Sequence, residues 1–392
     1  MKTPHRLLAF AVLLGTAFLT ATAADPGRGF VETDLVANLA SLTDANGVVH
    51  QPAHVDPHLV NAWGVGESGG SPFWVSDNGA GVSTLYVTDG TPQALVVSIP
   101  APGSPLGNDG TPTGLVFNIA SGQGAFRISG FTRTGTPTSA PAVFLFSTED
   151  GTILGWNPGV NPPGFDPNKA GTYAIIAVNN SAHPSAEEGA VYKGLAIAID
   201  SNGTPFLYAP NFRAGTVDVF GADFKPPTTL PMDAFTDPNL PQGYAPFNVV
   251  HVGNRLFVTY AVQDEKKHDD VAGQSHGIVN TFDLAGGSQQ RFAQHGQLNS
   301  PWGVAVAPAS FGDIAGDILI GNFGNGHINI FNPTTGEFIG KLRDSQNKAI
   351  AIDGLWTLIV GNGQRGGDSN KIYFSAGPNG ESDGLFGSIS PQ

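Results

Sequence analysis

A short phrase recurs six times along the chain, and this repeat limits the possible folds more than any other feature. Each copy opens an apolar run of the kind that forms a β-strand. The equivalent positions in the six copies are Gly64, Gly114, Gly194, Asn248, Gly303 and Thr357. The steps between them are 50, 80, 54, 55 and 54 residues, so one repeat contains a long insertion.

Three more strand-like runs usually follow each phrase. In the first repeat they cover 72–76, 83–88 and 94–99, and they are separated by Gly, Asn and Pro. Four antiparallel strands every 45–55 residues are typical of a β-propeller blade. We therefore predict an all-β, six-bladed β-propeller in a single domain, 24–392, with blades starting near 61, 112, 191, 246, 301 and 355. Two separate β-sandwiches are the alternative.

The sixth repeat has three clear strands, of which the last covers 384–389. The apolar run 30–36 near the start of the chain can supply the missing outer strand. Pairing of the two ends removes a free sheet edge. Separate sandwiches would not explain this complementarity, which favours the closed ring.

Composition excludes several classes of function. The 392 residues include 18 Lys and Arg against 32 Asp and Glu, giving a net charge of −14, so binding to nucleic acid through a basic surface is not expected. The absence of Cys excludes disulfides, a thiol nucleophile and thiolate metal sites. No later apolar run reaches the length of a membrane span.

The first 23 residues match a signal peptide. Lys2 and Arg6 precede an apolar stretch, 7–19, and Ala21-Thr22-Ala23 has the form of an A-x-A cleavage site. A permanent N-terminal anchor is the alternative. We expect a secreted or periplasmic protein.

Several long phrases carry a resemblance to a known family. They are LVNAWGVG, FWVSDNGAGVSTLY, FSTEDGTILGWNP, APNFRAGTVDVF, QDEKKHDDVAG, LNSPWGVAVAPASFG and IGNFGNGHINIFNPTTG. The chain resembles an uncharacterised family of secreted bacterial six-bladed β-propeller proteins, similar in shape to NHL-type and lactonase-type propellers. Some members carry a C-terminal sorting tail. This chain ends at Pro391-Gln392 without one, so free secretion is expected. The resemblance implies no activity and no catalytic residues.

Propeller geometry places the start of each innermost strand and the turn between the second and third strands on one face, here called the upper face. The longest such turn is 263–277 in the fourth repeat, and it is expected to lean over the channel. It contains His268, Asp269 and Asp270. These residues are candidates for catalysis as a base with its orienting carboxylate, and the two Asp are candidates for metal binding. A solvated charged loop is the alternative.

Polar residues at equivalent turns form a second candidate set. Their oxygens would converge around the channel and suit calcium or a polyhydroxylated ligand, so Ca2+ is the suggested cofactor. The proposed ligand-binding residues are Asn61, Asp77, Asn78, Asp150, Asn211, Arg213, Asn299 and Asn322. The alternative is that the Asn and Asp side chains cap the backbone, and that Arg213 pairs with a neighbouring carboxylate.

Two further patterns carry less weight. Trp63, Trp302 and Trp356 recur at equivalent positions, where packing between blades is favoured over stacking on a sugar. A second pattern is His50, His54 and His58, spaced by four, but the intervening prolines prevent one helix from presenting them together.

Two functions follow from these observations. The first is a binding module that captures a small molecule, a glycan or a surface protein on the upper face, as a monomer. The alternative is a calcium-assisted hydrolase or lyase acting on a lactone, ester or saccharide in the central channel. Varied polar loops on a repeated frame, without a complete nucleophile and base signature, favour the binding module.

Overall fold

The computed structural model describes residues 29–392. The predicted signal peptide lies outside the described residues. The N-terminal part contains four strands: β1 (Phe30–Ala37), β2 (Leu42–Thr43), β3 (Val49–His50) and β4 (His54–Val55). β2 and β3 form a small antiparallel hairpin, and β4 runs parallel to the end of β1.

Six sheets follow one another along the chain as the blades of the propeller, each beginning with its innermost strand. Blade 1 contains β5 (Ala62–Gly66), β6 (Phe73–Asp77), β7 (Val82–Tyr86) and β8 (Val97–Ser98). Blade 2 contains β9 (Pro112–Phe117), β12 (Phe144–Thr148), β13 (Thr152–Trp156) and β14 (Ile175–Asn179). Blade 3 contains β15 (Ala196–Ile199), β16 (Pro205–Asn211) and β17 (Thr216–Phe220).

The second half of the ring has the same construction. Blade 4 contains β18 (Tyr244–Val252), β19 (Arg255–Val262), β20 (Ile278–Phe282) and β21 (Gln290–Gln294). Blade 5 contains β22 (Pro301–Val306), β23 (Ile318–Asn322), β24 (Ile328–Phe331) and β25 (Phe338–Lys341). Blade 6 contains β26 (Leu355–Val360), β27 (Ile372–Ala376) and β28 (Leu385–Pro391), and the prediction of six blades is confirmed.

Short helical turns connect some strands. Within residues 29–392 the 3-10 turns are Asn78–Ala80, Ser121–Gln123, Pro167–Lys169 and Ala309–Ile314, and the one α-helical turn is α1 (Pro378–Glu381). Asn78–Ala80 and α1 both lie between the second and third strands of their blades. They therefore stand on the upper face.

The N-terminal strand closes the ring. β1 pairs antiparallel with β28, so that Phe30 lies opposite Pro391 and Ala37 opposite Leu385. The sheet order β26-β27-β28-β1-β4 makes β1 the fourth strand of blade 6, with the two-residue strand β4 at its edge. The predicted pairing of the two ends is confirmed.

Besides blade 6, with β4 at its edge, blades 2 and 3 depart from the four-strand pattern. Blade 2 carries an extra hairpin, β10 (Arg127–Phe131) and β11 (Pro137–Pro141), between its first and second strands, which lengthens this repeat. Blade 3 has three strands, and the segment 221–243 that follows forms turns. Five prolines in that segment lack the backbone N–H that a paired strand needs, which accounts for the missing outer strand.

The blades pack face to face, so both faces of their central strands are buried. Every residue of β6, β12 and β23 is buried, which explains why each of these strands begins with three apolar residues in a row instead of alternating with polar ones. Between blades 1 and 2, for example, Trp74 stacks on Phe144 with ring centroids 4.1 Å apart. The core is therefore a ring of interfaces between neighbouring blades.

The innermost strands touch through backbone atoms where the repeat has Gly. A Cβ added to Gly114 would collide with the backbone of Gly194 and Leu195 in the next blade. We expect Gly114→Ala to lower the free energy of unfolding by about 2 kcal/mol, because the packed ring must open to admit the methyl group. Chemical denaturation measures this change.

Gly340→Ala is the matched control. Gly340 lies in the outermost strand of blade 5, where an added Cβ meets nothing within 4 Å. Its effect should stay within about 0.5 kcal/mol. Equal effects of the two substitutions would contradict close packing of the inner strands.

Candidate functional site

A chain of hydrogen-bonded polar side chains runs around the channel mouth on the upper face. We call it the polar belt, and its members are Glu381, Asn61, Asn78, Glu149, Lys193, Asp269 and His268. They come from blades 6, 1, 2, 3 and 4 in ring order. Side chains far apart in the sequence therefore meet at the mouth.

Blades 6, 1 and 2 form the first half of the polar belt. Asn61 Nδ2 donates to Glu381 Oε2 at 2.6 Å and to Asn78 Oδ1 at 3.2 Å. Asn78 Nδ2 donates to Glu149 Oε2 at 2.9 Å. Asn61 has a positive φ of 48°, a conformation that Asn tolerates better than most residues, and its Oδ1 accepts from Trp356 Nε1 at 2.9 Å.

Lys193 joins the two halves of the polar belt. Its Nζ donates to Glu149 Oε1 and, at 3.0 Å, to Asp269 Oδ1. The lysine side chain is 2% exposed, and its ammonium lies 5.2 Å from the centre of the Trp63 ring. Burial works against the charge, but the neighbouring carboxylates of Glu149 and Asp269 outweigh it and raise the pKa of Lys193. The ammonium thus holds three blades together.

The loop 263–277 completes the polar belt. His268 Nδ1 lies 2.9 Å from Asp269 Oδ1. The hydrogen bond with His268 and the positive charge of Lys193 lower the pKa of Asp269. The Asp269 side chain is 65% exposed, whereas Glu149 is 11% exposed. The mouth therefore presents an ionised carboxylate to solvent beside a half-exposed imidazole.

Aromatic side chains close the channel beneath the polar belt. Trp356 stacks on Trp63 at 3.7 Å and on Phe323 at 3.9 Å between ring centroids. Trp302 meets Trp356 edge-on at 5.8 Å, and Phe247 lies 5.9 Å from it. We call these five residues the aromatic plug. The three tryptophans pack on one another at the centre of the ring.

A cavity of about 570 Å³ lies on the other side of the aromatic plug. It is lined by the six innermost strands and is mostly apolar, with His251 near its far end. The plug separates this cavity from the mouth. The two halves of the channel thus differ in chemistry.

The residues predicted from the sequence fall into two groups. His268, Asp269, Asn61 and Asn78 are members of the polar belt. Asp270 adjoins it, and burial raises the pKa of this carboxyl. The structure brings these five residues together at the mouth, although their catalytic, ligand-binding and metal-binding roles stay predictions.

The other predicted side chains bind neighbouring parts of the protein. Asp77 is fully buried and accepts from Thr84 N at 3.0 Å, and Asp150 accepts from Thr111 N at 2.8 Å. Asn299 accepts from Gly273 N at 2.7 Å. These contacts fix loops, and the predicted role in ligand binding remains a prediction.

Three more side chains of the predicted ring make similar contacts. Asn211 Nδ2 donates to Asp218 Oδ2 at 3.1 Å, and Arg213 Nη1 donates to the carbonyl of Gly189 at 2.8 Å. Asn322 Nδ2 donates to the carbonyl of Gln297 at 2.8 Å. Ligand binding by these three side chains also stays a prediction.

Sequence reasoning missed three members of the polar belt. Lys193 stands in the recurring phrase at the position that Trp63, Trp302 and Trp356 take in other blades. A lysine in place of a recurring tryptophan could have marked this position as a site residue. Glu149 belongs to a recurring turn. Glu381 lies in a turn that resembles no other repeat, and nothing in the sequence marks it.

Among residues 29–392, one set of side chains at the mouth could bind a divalent cation. Ligand atoms of Glu149, His268 and Asp269 lie within 4.8 Å of one another. The Lys193 ammonium contacts both carboxylates, so a metal ion would meet like-charge repulsion there. Calcium prefers six to eight oxygen ligands, and this set includes an imidazole nitrogen. The fit to calcium is therefore poor.

Glu381 is expected to make stability depend on pH. Burial and the charge of Glu149 raise its pKa to about 7. Between pH 4.5 and 7 the unfolded chain releases this proton while the folded chain keeps it, so the free energy of unfolding falls as pH rises. The glutamine of Glu381→Gln cannot ionise. The free energy of unfolding of this variant, relative to that of wild type, should therefore be higher at pH 8 than at pH 4, by on the order of 2 kcal/mol.

Denaturant unfolding of wild type and variant across this range measures the difference. Glu337→Gln, at an exposed position, is the control and should leave the pH profile unchanged. If Glu381→Gln and wild type keep parallel pH profiles, the carboxyl of Glu381 is not held in its protonated form.

Fold and site together define a six-bladed β-propeller with a charged, hydrogen-bonded belt at one mouth of a plugged channel. No protein-family model matches the chain. It is 31% identical over 342 residues to an uncharacterized protein of Acanthamoeba polyphaga mimivirus, covering 87% of this chain and 77% of that protein. A second uncharacterized protein of this virus is 33% identical over 340 residues, covering 86% and 82%. The chain belongs to the same family as these two viral proteins.

This family agrees in part with the resemblance found in the sequence. The two viral relatives are uncharacterized, as expected, and the propeller fold is confirmed by the six sheets. The relatives named above are viral, and a bacterial, secreted membership stays a prediction.

Solved structures similar to the chain include two enzymes. A PQQ-bound aldose sugar dehydrogenase from Streptomyces coelicolor is 12% identical, with a TM-score of 0.48 and coverage of 94% of this chain and 100% of that one. Virginiamycin B lyase from Staphylococcus aureus is 12% identical, with a TM-score of 0.44 and coverage of 92% and 99%. Likeness at this level says nothing about activity or ligand.

Membrane insertion through a helix finds no support in residues 29–392. Within this range, no helix has the length and apolar character that crossing a bilayer requires.

Proposed function

We propose that the mouth of the channel binds a small ligand rich in hydroxyl or amino groups, and that the chain acts as a binding module. The polar belt carries this proposal. It joins side chains from five blades into one hydrogen-bonded set, and such preorganisation lowers the cost of ordering a binding site. Asp269 and His268 remain accessible at its edge.

The charges of the polar belt indicate the kind of ligand. Three carboxylates (Glu149, Asp269 and Glu381) surround a single ammonium, whose contacts with Glu149 and Asp269 are already made. The atoms of the polar belt that can still bond to a ligand are therefore mostly hydrogen-bond acceptors. Saccharide hydroxyls and protonated amines donate such bonds, whereas an acidic ligand would be repelled.

A glycan array followed by calorimetric titration tests this proposal. Neutral and amino-substituted saccharides should bind more tightly than acidic ones. Asp269→Asn should weaken binding about tenfold, because it removes a charged acceptor. Asp223→Asn, on an exposed carboxylate paired with Lys225 away from the mouth, is the control and should bind as wild type does. Absence of binding across the panel, or equal affinity of Asp269→Asn and wild type, contradicts the proposal.

Acid–base catalysis is a second candidate function, and the His268–Asp269 pair favours it. A carboxylate on Nδ1 orients the imidazole and supports its action as a base through Nε2. Glu381, with a pKa of about 7, can donate a proton at neutral pH. This pair of groups suits hydrolysis or elimination on a lactone, ester or saccharide.

Lactone, aryl-ester and saccharide panels, with calcium and with chelator, test the catalytic function. Any turnover should fall at least a hundredfold in His268→Ala. His58→Ala is a matched control, since His58 Nδ1 also lies 3.0 Å from an aspartate, Asp56, outside the polar belt. Turnover that His268→Ala leaves unchanged, or no turnover under any condition, removes this function. If turnover is equally fast with calcium and with chelator, calcium does not assist the reaction.

We also propose that the protein is exported, on the basis of its basic, apolar and A-x-A N-terminal segments. Expression with the full N-terminus in a bacterial host should yield secreted protein whose sequence begins at Ala24. Retention of Met1 in a cytoplasmic product contradicts this proposal.

A further inference from the structure

A second cluster of ionisable side chains lies outside the polar belt, where the closing strand β1 meets the β2–β3 hairpin. Glu32 and Asp34 lie in the closing strand β1, His50 lies in β3, and Asp44 lies in the turn of the β2–β3 hairpin. His50 Nδ1 is 3.1 Å from Asp34 Oδ1 and 4.0 Å from Glu32 Oε1. The proposed function does not involve this cluster.

Asp44 faces the same imidazole from its other side. Its Oδ2 lies 3.6 Å from His50 Nε2, and the residue is 5% exposed. Within residues 29–392 this oxygen has no hydrogen-bond partner. His50 itself is 4% exposed. A buried carboxylate oxygen thus points at a buried imidazole.

The two ring nitrogens of His50 have different tasks in this arrangement. A proton on Nε2 is directed at Asp44 and leaves the lone pair of Nδ1 facing Glu32 and Asp34. In this tautomer three acceptors converge on one point, and a cation placed there would offset their mutual repulsion. A metal-ligating histidine usually has a carboxylate or carbonyl facing its second ring nitrogen, and Asp44 takes this position beside His50.

We propose that Glu32, Asp34 and His50 bind a divalent transition-metal ion of the zinc class, with Asp44 as the outer partner that orients His50. Two ligand atoms about 2.0 Å from a tetrahedral zinc are roughly 3.3 Å apart. The separation of 3.1 Å between His50 and Asp34 matches this value. Glu32 Oε1 reaches it by a small side-chain rotation, and water completes the coordination. Calcium, which prefers oxygen ligands alone, fits less well.

Metal binding at this position ties the closing strand to the hairpin beside it. Because the unfolded chain has no such site, the bound metal stabilises the closed ring. Zinc at one hundred times its dissociation constant should raise the melting temperature by on the order of 3 °C.

Titration of the EDTA-treated full chain with Zn2+ in a calorimeter, and with Co2+ in an absorption spectrometer, tests the proposal. Wild type should bind one equivalent of zinc at this cluster and show the intense visible bands of tetrahedral cobalt. His50→Gln should lose both signals and the zinc-dependent rise in melting temperature. Glu32→Gln, at a half-buried position, serves if His50→Gln fails to fold, and should weaken zinc binding at least tenfold.

Two controls locate the metal. His54 lies in β4, outside the cluster, and His54→Gln should bind zinc as wild type does. His268→Gln removes the imidazole of the polar belt, and this variant should also bind one equivalent of zinc at His50. The proposal is overturned if zinc does not bind, if Glu32→Gln binds it normally, or if His268→Gln abolishes it. Failure of the glycan and turnover experiments would not affect this result.

Discussion

Lys193→Met should lower the free energy of unfolding by about 3–5 kcal/mol, the largest loss expected from a single substitution at the mouth. The methionine fills similar space but leaves Glu149 and Asp269 without the cation that compensates them. The Lys193 ammonium also holds blades 2 and 4 to blade 3. Urea unfolding, followed by tryptophan fluorescence, measures the change.

Lys225→Met is the matched control for this experiment. Lys225 also pairs with a carboxylate, Asp223, but their side chains are 80% and 65% exposed, so the substitution should cost less than about 1 kcal/mol. Adding Glu149→Gln to Lys193→Met should restore part of the stability, because it removes one of the unpaired charges. If Lys193→Met is no more destabilising than Lys225→Met, the central role of the buried ammonium is wrong.

Val36→Asp should cost more than about 3 kcal/mol, because it places an unpaired carboxylate inside the interface that closes the ring. Val36 is 0% exposed, lies opposite Phe386 in the β1–β28 pair, and belongs to the core cluster that also contains Tyr86. Loss of this strand would expose the edge of β28. We expect aggregation or an early unfolding step, detected by light scattering during thermal unfolding.

Val31→Asp tests the same strand at a tolerant position. Val31 is 36% exposed and lies opposite Ser390, so a charge there remains in water. Its cost should be about 0.5 kcal/mol or less. Similar losses from both substitutions would mean that the strand as a whole, rather than the buried contact of Val36, is sensitive to charge.

The fold could be predicted because its signals are local and repeated. Each inner strand opens with the same phrase, and the missing strand of blade 6 could be found in the apolar run 30–36. The sequence also contains the reason that blade 3 lacks a fourth strand, because Pro226, Pro227 and Pro231 lie in the segment after β17. The repeat pattern alone did not reveal it.

The candidate site could be predicted only in part. The loop 263–277 stood out by its length, and Asn61 and Asn78 by their place in recurring phrases. Glu381 has no such mark, because its turn has no counterpart in other blades. Its contact with Asn61 joins residues 320 positions apart, and no pattern along the chain encodes such a pair.

The periodic arrangement of strands and the complementarity of the two ends belong to the sequence itself, because hydrophobic spacing and turn residues act over a few positions at a time. Which polar side chains meet at the mouth, and which imidazole faces which carboxylates beside the closing strand, was decided by the tertiary structure. Those contacts depend on how six blades are rotated against one another, and that rotation results from packing across the whole ring.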